Sequence, residues 1–242
     1  KETAGSVEMR GKTIGIVGYG HIGQQVSVLA EAFGMRVLYF DVMDKLSMGN
    51  ATRTVDLRDL MERSDVVTLH VPGTRDTEGM IGKKELAWMR PGAFLLNASR
   101  GSVVDIDALT TALVKGKIAG AALDVFPVEP KSKDEKFQSP LQGRDNVILT
   151  PHIGGATEEA QRNIGLEVSG KLIRFTNNGS TEGAVNFPSE VLPELRDHHR
   201  VLHIHQNVPG VLQKVNTMFG EAGINVAAQY LRTHEDVGYL IM

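Results

Sequence analysis

The chain has 242 residues, 41% apolar and 23% charged, an ordinary composition for a globular protein of one large or two smaller domains. A net charge of −3 gives no electrostatic reason to expect DNA, RNA or an anionic membrane as a partner, and no apolar run approaches bilayer-spanning length. The chain has no cysteine, which removes disulfides, thiolate nucleophiles and cysteine-ligated metals from consideration.

Thr13-Ile14-Gly15-Ile16-Val17 reads as a buried strand that runs straight into Gly18-Tyr19-Gly20-His21-Ile22-Gly23. Ile22, Val26, Leu29, Ala30 and Phe33 then recur at helical spacing, and Arg36 to Phe40 reads as a second strand ending at Asp41. Leu57 to Arg63 is a short predicted helix, Asp65 to Val71 a strand, Lys83 to Met89 a helix and Gly92 to Ala98 a strand. Ile106 to Val114 follows as a helix with Asp105 as its N-cap, then strands at Ala119 to Val125 and Val147 to Thr150. Near-continuous apolar strands alternating with amphipathic helices predict a doubly wound α/β domain on a parallel sheet.

A long helix is expected from about Thr157 to Thr176, closed by Asn177-Asn178-Gly179. Pro188 to His199, with two prolines and mixed charges, reads as a linker. Val201 to His205 begins a second small unit, followed by a turn at Asn207-Val208-Pro209-Gly210 and a helix ended by Gly223. Ile224 to Arg232 and Val237 to Met242 read as strands joined by a hairpin at His234-Glu235-Asp236. A β-α-β-β run of this kind is most of a ferredoxin-like βαββαβ unit.

The glycine spacing carries chemistry because of its context. A G-x-G-x-x-G between a strand and a helix allows a tight turn, close backbone approach to a pyrophosphate, and helix–strand packing. The helix N-terminus then offers free N–H groups to the phosphates. Asp41, 18 residues after Gly23, is placed to accept hydrogen bonds from ribose hydroxyls. Its carboxylate would repel a 2′-phosphate, and no arginine follows it closely in sequence, so NAD is expected over NADP.

Asp41, Pro72, Ser99-Arg100, Asp124 and His152 each stand at a strand end, where ligands of open α/β sheets bind. Arg100 offers a planar fork suited to a carboxylate or 2-oxo group. Glu129, between Pro127 and Pro130 in a stiffened loop, is suited to orient an imidazolium, and His152 is the natural proton carrier for an alcohol–ketone couple. His21, His70, His198, His199, His203 and His234 read as structural histidines on the same evidence. The sequence has neither H-E-x-x-H nor cysteine pairs, so no metal ligand is assigned.

Gly18 to Gly23, Asn97-Ala98-Ser99-Arg100-Gly101, Val125-Phe126-Pro127-Val128-Glu129-Pro130 and Thr150-Pro151-His152-Ile153-Gly154-Gly155, in this order, resemble the D-2-hydroxyacid dehydrogenase family. With Ile204-His205-Gln206-Asn207-Val208-Pro209-Gly210 behind them, the chain is similar to the members that carry a C-terminal ACT domain. Those members oxidise 3-phospho-D-glycerate to 3-phosphooxypyruvate at the entry to serine synthesis. The resemblance covers essentially the whole chain. It implies a Rossmann domain with NAD as cofactor and a truncated ACT domain after it. It also implies Arg100 as the substrate-binding residue, His152 as the acid/base and Glu129 as its partner. The implied cofactor site is Gly18, Gly20, His21, Ile22, Gly23, Asp41, Pro72, Ala98, Arg100, Asp124, His152, Gly154 and Gly155.

Further implications are an L-serine effector at an interface between two ACT domains, drawing on His205, Asn207 and Asn225, and a cytoplasmic homo-oligomer, dimer or tetramer. The expected division is a nucleotide-binding domain over 1–155, a return helix and substrate-domain strand over 156–187, a linker over 188–199, and a partial ACT domain over 200–242. Relative to the family, the N-terminal part of the substrate domain and the end of the ACT unit are missing, and both ends read as cuts in a longer polypeptide. Leu195-Arg196-Asp197-His198-His199-Arg200 stands where a member of that type has adjacent glycines as a hinge. Two other readings stay open: a dehydrogenase for another small D-2-hydroxy acid, and a non-enzymatic NAD(H)-responsive scaffold like some transcriptional corepressors.

Overall fold

All five residues of β1 (Thr13–Val17) are buried, and they form an interior strand of a parallel sheet. The computed structural model describes residues 7–132, 134–194 and 198–242. It divides into two units, Lys1–Ala156 and Thr157–Met242.

In the first unit β1 is followed by α1 (His21–Ala32), β2 (Arg36–Phe40), β3 (Thr52–Arg53), α2 (Leu57–Arg63) and β4 (Val66–Leu69). Next come α3 (Lys83–Trp88), β5 (Ala93–Asn97), α4 (Ile106–Val114), β6 (Ile118–Leu123) and β7 (Val147–Leu149). The strands lie in the order β3-β2-β1-β4-β5-β6-β7, every pairing parallel. Thr13 pairs with Arg36 on one side of β1, and Ile14 with Val66 on the other. Alternate side chains of β1 feed two cores. Ile14 and Ile16 join Ala30, Met35, Val37 and Tyr39, whereas Val17 joins Leu60, Val67, Leu69, Leu95 and Leu123. This is a doubly wound Rossmann sheet. Asp56 and Asp105 cap α2 and α4 by accepting from the amides of Asp59 and Ala108 at 2.7 and 2.9 Å.

The second unit opens with α5 (Glu158–Asn178), capped by Thr157 and closed by Gly179 in the left-handed region at φ 78°. Then follow β8 (Leu202–Gln206), α6 (Val211–Glu221), β9 (Tyr230–His234) and β10 (Val237–Ile241), with an antiparallel sheet in the order β8-β10-β9. That is the β-α-β-β half of a ferredoxin-like unit.

Three expectations change. The strand expected from Ile224 begins only at Tyr230, because β10 is spent pairing Ile241 with Tyr230 through Val237 with His234, which leaves no partner for residues 224–229. No strand occurs among the described residues between α5 and β8. The stretch from Pro188 to Leu192, expected as a linker, is packed. Leu192 is buried with Tyr239 and Ile241, its amide donates to Ser180 Oγ at 3.0 Å, and the Pro188 carbonyl accepts from Thr181 Oγ1 at 2.6 Å. Prolines here stiffen a docked segment. Leu195, Arg196 and Asp197 lie outside the described residues.

Candidate active site

The glycine turn is built as the spacing predicts. Gly18 sits at φ 90°, and a β-carbon on Gly23 would come within 2.2 Å of the Gly18 carbonyl oxygen, so helix and strand touch backbone to backbone. Gly20 is the N-cap of α1 with no side-chain cap bond, and a β-carbon there would meet open space. His21 and Ile22 are exposed in the first turn. Uncapped helix amides beside open space fit a pyrophosphate.

Asp41 is more tightly held than its sequence position implies. Its Oδ2 accepts from the Tyr19 amide inside the glycine turn at 2.7 Å, and its Oδ1 accepts from the Met43 amide at 2.8 Å. A carboxylate has about four acceptor positions, so two remain for ribose hydroxyls. An arginine absent from the neighbouring sequence arrives in space: Arg53, on β3, donates to the Asp41 carbonyl at 3.2 Å and to Asp44 at 2.9 Å.

Beyond β4, Pro72 is exposed, and the following Gly73 packs against the Arg100 side chain, 3.3 Å from Cγ to an ideal β-carbon. After β5, the buried Asn97 shapes the arginine loop. Its Nδ2 donates to the Arg100 carbonyl at 3.0 Å, and its Oδ1 accepts from the Ser99 amide and hydroxyl at 3.1 and 2.9 Å. Ala98 and Arg100 are exposed on this loop, the guanidinium donating to the Ser99 carbonyl at 2.7 Å. Gly101 lets the loop meet the next one, since a β-carbon there would lie 2.0 Å from the Phe126 carbonyl carbon. The role of Asn97 escapes motif reading, although Asn at a strand end is a turn signal.

The two loops after β6 and β7 bring the expected acid/base residue and its partner together. His152 Nδ1 and Glu129 Oε2 are 2.8 Å apart. An ionised carboxylate only accepts, which puts the N–H on Nδ1 and leaves Nε2 for a substrate hydroxyl. Burial pushes the Glu129 carboxyl up, but the His152 bond, the Phe126 amide at 2.9 Å and the imidazole charge outweigh it, with Asp124 opposing, and hold it below the ordinary value. Asp124 is also held low. Burial raises it, while the Thr150 hydroxyl, the Gly154 and Ile153 amides and the His152 charge lower it further. Gly154 and Gly155 are exposed. A cavity of about 780 Å³ opens beside the pair, lined among others by Phe126, Glu129, Lys131, Phe137 and His152.

The three residues expected to gather around an effector do not meet within one chain. Asn207, at the end of β8, donates from its amide to the Asp236 carbonyl and from Nδ2 to Glu235 at 3.1 Å. Asn225 instead lines a cavity of about 740 Å³ with Val201, Ile241 and Met242, at the other end of β8. In a β-α-β crossover the helix returns the chain to the strand's starting end, so the residues after α6 cannot adjoin the turn before it. His205 stacks on His203, ring centres 5.2 Å apart, over Gly238.

Residues 1–154 match the family described as D-isomer specific 2-hydroxyacid dehydrogenase, NAD binding domain, and residues 201–242 match the AHAS small subunit-like ACT domain. Along its whole length the chain is 56% identical to D-3-phosphoglycerate dehydrogenase of Escherichia coli K12 and 53% identical to that of Haemophilus influenzae. It spans 59% of each of those relatives. Among solved structures, D-lactate dehydrogenase with NAD+ from Lactobacillus jensenii superposes with a TM-score of 0.65 at 35% identity, over 73% of this chain and 56% of that one. The NAD-complexed D-isomer specific 2-hydroxyacid dehydrogenase of Lactobacillus delbrueckii gives 0.63 at 33% identity, over 72% and 57%.

Proposed function

The chain belongs to the D-isomer specific 2-hydroxyacid dehydrogenases, and from that premise we propose that the protein oxidises 3-phospho-D-glycerate to 3-phosphooxypyruvate with NAD. The observation that carries the chemistry is the His152–Glu129 pair at 2.8 Å, on the strand-end side of a dinucleotide-binding sheet. His152 Nε2 takes the C2 hydroxyl proton while Glu129 steadies the resulting imidazolium through Nδ1. Arg100 holds the substrate carboxylate through its planar fork, which fixes C2 against the cofactor face. When bound, the nicotinamide accepts the hydride from C2. The free amides of the α1 N-terminus and the turn around Gly18 and Gly20 would take the pyrophosphate, and Asp41 the ribose.

The substrate assignment is supported by relatives of that name matching from end to end of this chain. Steady-state assays with 3-phospho-D-glycerate, D-lactate, D-glycerate and glyoxylate test it, with preference for the phosphorylated acid expected. Preference for an unphosphorylated acid would transfer the assignment to another D-2-hydroxyacid dehydrogenase. His152→Asn is expected to lower kcat on the order of a hundred- to ten-thousandfold. Retained turnover would remove His152 from the mechanism, whereas a wild-type protein that binds NADH but turns over no 2-hydroxy acid would favour the scaffold reading.

We further infer an L-serine effector on the ACT unit, a homo-oligomer, and a cytoplasmic enzyme. The ACT match supports the effector. Because Asn207 and Asn225 lie at opposite ends of β8, one ligand would meet both only across two copies of the chain. Calorimetric titration of serine, with and without Asn207→Ala, tests this. Unaltered binding in the variant would remove Asn207 from the site.

A further inference from the structure

His152 stands in the left-handed backbone region at φ 53°. A residue with a β-carbon is disfavoured there, so the surrounding structure must hold it. Glu129 fixes the ring, yet a bond to Nδ1 does not set the path of the main chain. That path is set on the C-terminal side by Asp124, whose Oδ1 accepts from the Ile153 amide and Oδ2 from the Gly154 amide, both at 3.1 Å.

Asp124 is itself fixed from two strands. Its amide donates to the Asn97 carbonyl at 2.9 Å, at the end of β5. Across from it, the Thr150 hydroxyl donates to Oδ1 at 2.6 Å, a short charge-assisted bond, while the Thr150 amide donates to the Leu123 carbonyl at 3.0 Å. Pro151 biases Thr150 toward an extended backbone, which favours this pairing across β6 and β7.

We propose that Thr150 is a positioning residue for proton transfer. Its hydroxyl locks Asp124, and Asp124 clamps the 153–154 amides that keep His152 in its left-handed conformation. The inference rests on reading His152 as the acid/base, but the clamp is observable without any assay of turnover.

The test uses the full-length protein. Thr150→Val keeps the branched shape and removes the donor; Thr150→Ser keeps the donor. Amide hydrogen exchange at Ile153 and Gly154 is expected to accelerate on the order of tenfold in the valine variant and to stay near wild type in the serine variant, as expected when a charge-assisted bond supporting them is lost. kcat is expected to fall on the order of a hundredfold in the valine variant, as misplacement of a reacting group would cause, with KM for the hydroxy acid, held by Arg100, changed far less and the serine variant restored. Asp124→Asn, which turns an N–H toward the Gly154 amide, provides a second route to the same exchange phenotype if the valine variant does not fold. Unchanged exchange in the valine variant or in Asp124→Asn overturns the clamp. Accelerated exchange with unchanged kcat overturns its positioning role. A wild-type protein inactive on every 2-hydroxy acid overturns the proposed function instead, and leaves the exchange result to stand or fall alone.

Discussion

Asp41 shows how a single side chain can serve both the fold and the choice of cofactor. Its two oxygens tie the glycine turn to the start of the next loop, and the lone pairs left over are the ones the proposed ribose contact would use. Arg53 lies behind it with an exposed partner, Asp44, and exposed ion pairs contribute little, so the guanidinium is free to answer another anion. On the proposed reading of the cofactor site, the Asp41 carboxylate is the group that would repel a 2′-phosphate. Asp41→Asn, which keeps an oxygen for the Tyr19 amide, is expected to raise NADPH affinity relative to NADH on the order of tenfold, about 1.4 kcal/mol, by fluorescence titration. Arg53→Gln in the same background should erase the gain, and a ratio unmoved by Asp41→Asn would assign the discrimination elsewhere. Arg53 was not legible beside Asp41 because the two meet only through the pairing of β2 and β3. Thr150 was illegible in the same way, its partner being 26 residues distant. The Glu129–His152 contact was legible because each residue sits in a local motif in the loop after its strand, β6 or β7.

Elements with a clear period were read from sequence to within a residue or two, as α2 and α4 show. The two-residue β3 is too short to have a period, and the start of β9 is decided by the length of its partner β10, which no local pattern records. Close approaches are equally hidden. Gly101 follows the arginine in a motif, but its reason is the Phe126-Pro127 backbone, which a β-carbon would overlap at 2.0 to 2.6 Å. Backbone cannot swing aside as a long side chain can, so the Arg100 and Glu129 loops must part. Gly101→Ala is therefore expected to destabilise the first unit by at least the 1–3 kcal/mol typical of overpacking. It should also reduce kcat/KM more than cofactor affinity, because the glycine turn is a separate element. Thermal melts and NADH titration check both, and a variant with wild-type melting would mean that the loops accommodate the extra carbon.

At the scale of the whole molecule, one histidine and two carboxylates with displaced values favour neutral over acid conditions. His70 is held below its ordinary value by burial, so below about pH 6.5 the unfolded chain binds a proton that the folded one resists, and stability falls. Glu129 and Asp124, both held low, add stability above the ordinary carboxylate values that is lost as pH falls through their folded values. Melting temperature should then decline in two stages on acidification, and His70→Gln should remove the upper one; a decline that keeps its upper stage in that variant would assign it to another group. The same whole-chain view bears on turnover. In these 242 residues the His152 and Glu129 side chains remain 50% and 34% exposed, and the chain spans 59% of the relatives it matches. Water around a charge-bearing pair weakens its electrostatics and competes for the proton, and a substrate with few fixed contacts loses the orientation that closure provides. The groups proposed to meet the cofactor's phosphate and ribose, by contrast, lie between Gly18 and Asp41 and are all folded. The 242-residue chain should therefore bind NADH within about threefold of the protein at its relatives' length, about 0.6 kcal/mol, while its kcat is at least on the order of a hundredfold lower. Equal kcat for the two lengths would show that the exposed pair works without further cover, and weak NADH binding by the shorter chain would show that the nucleotide site extends beyond it.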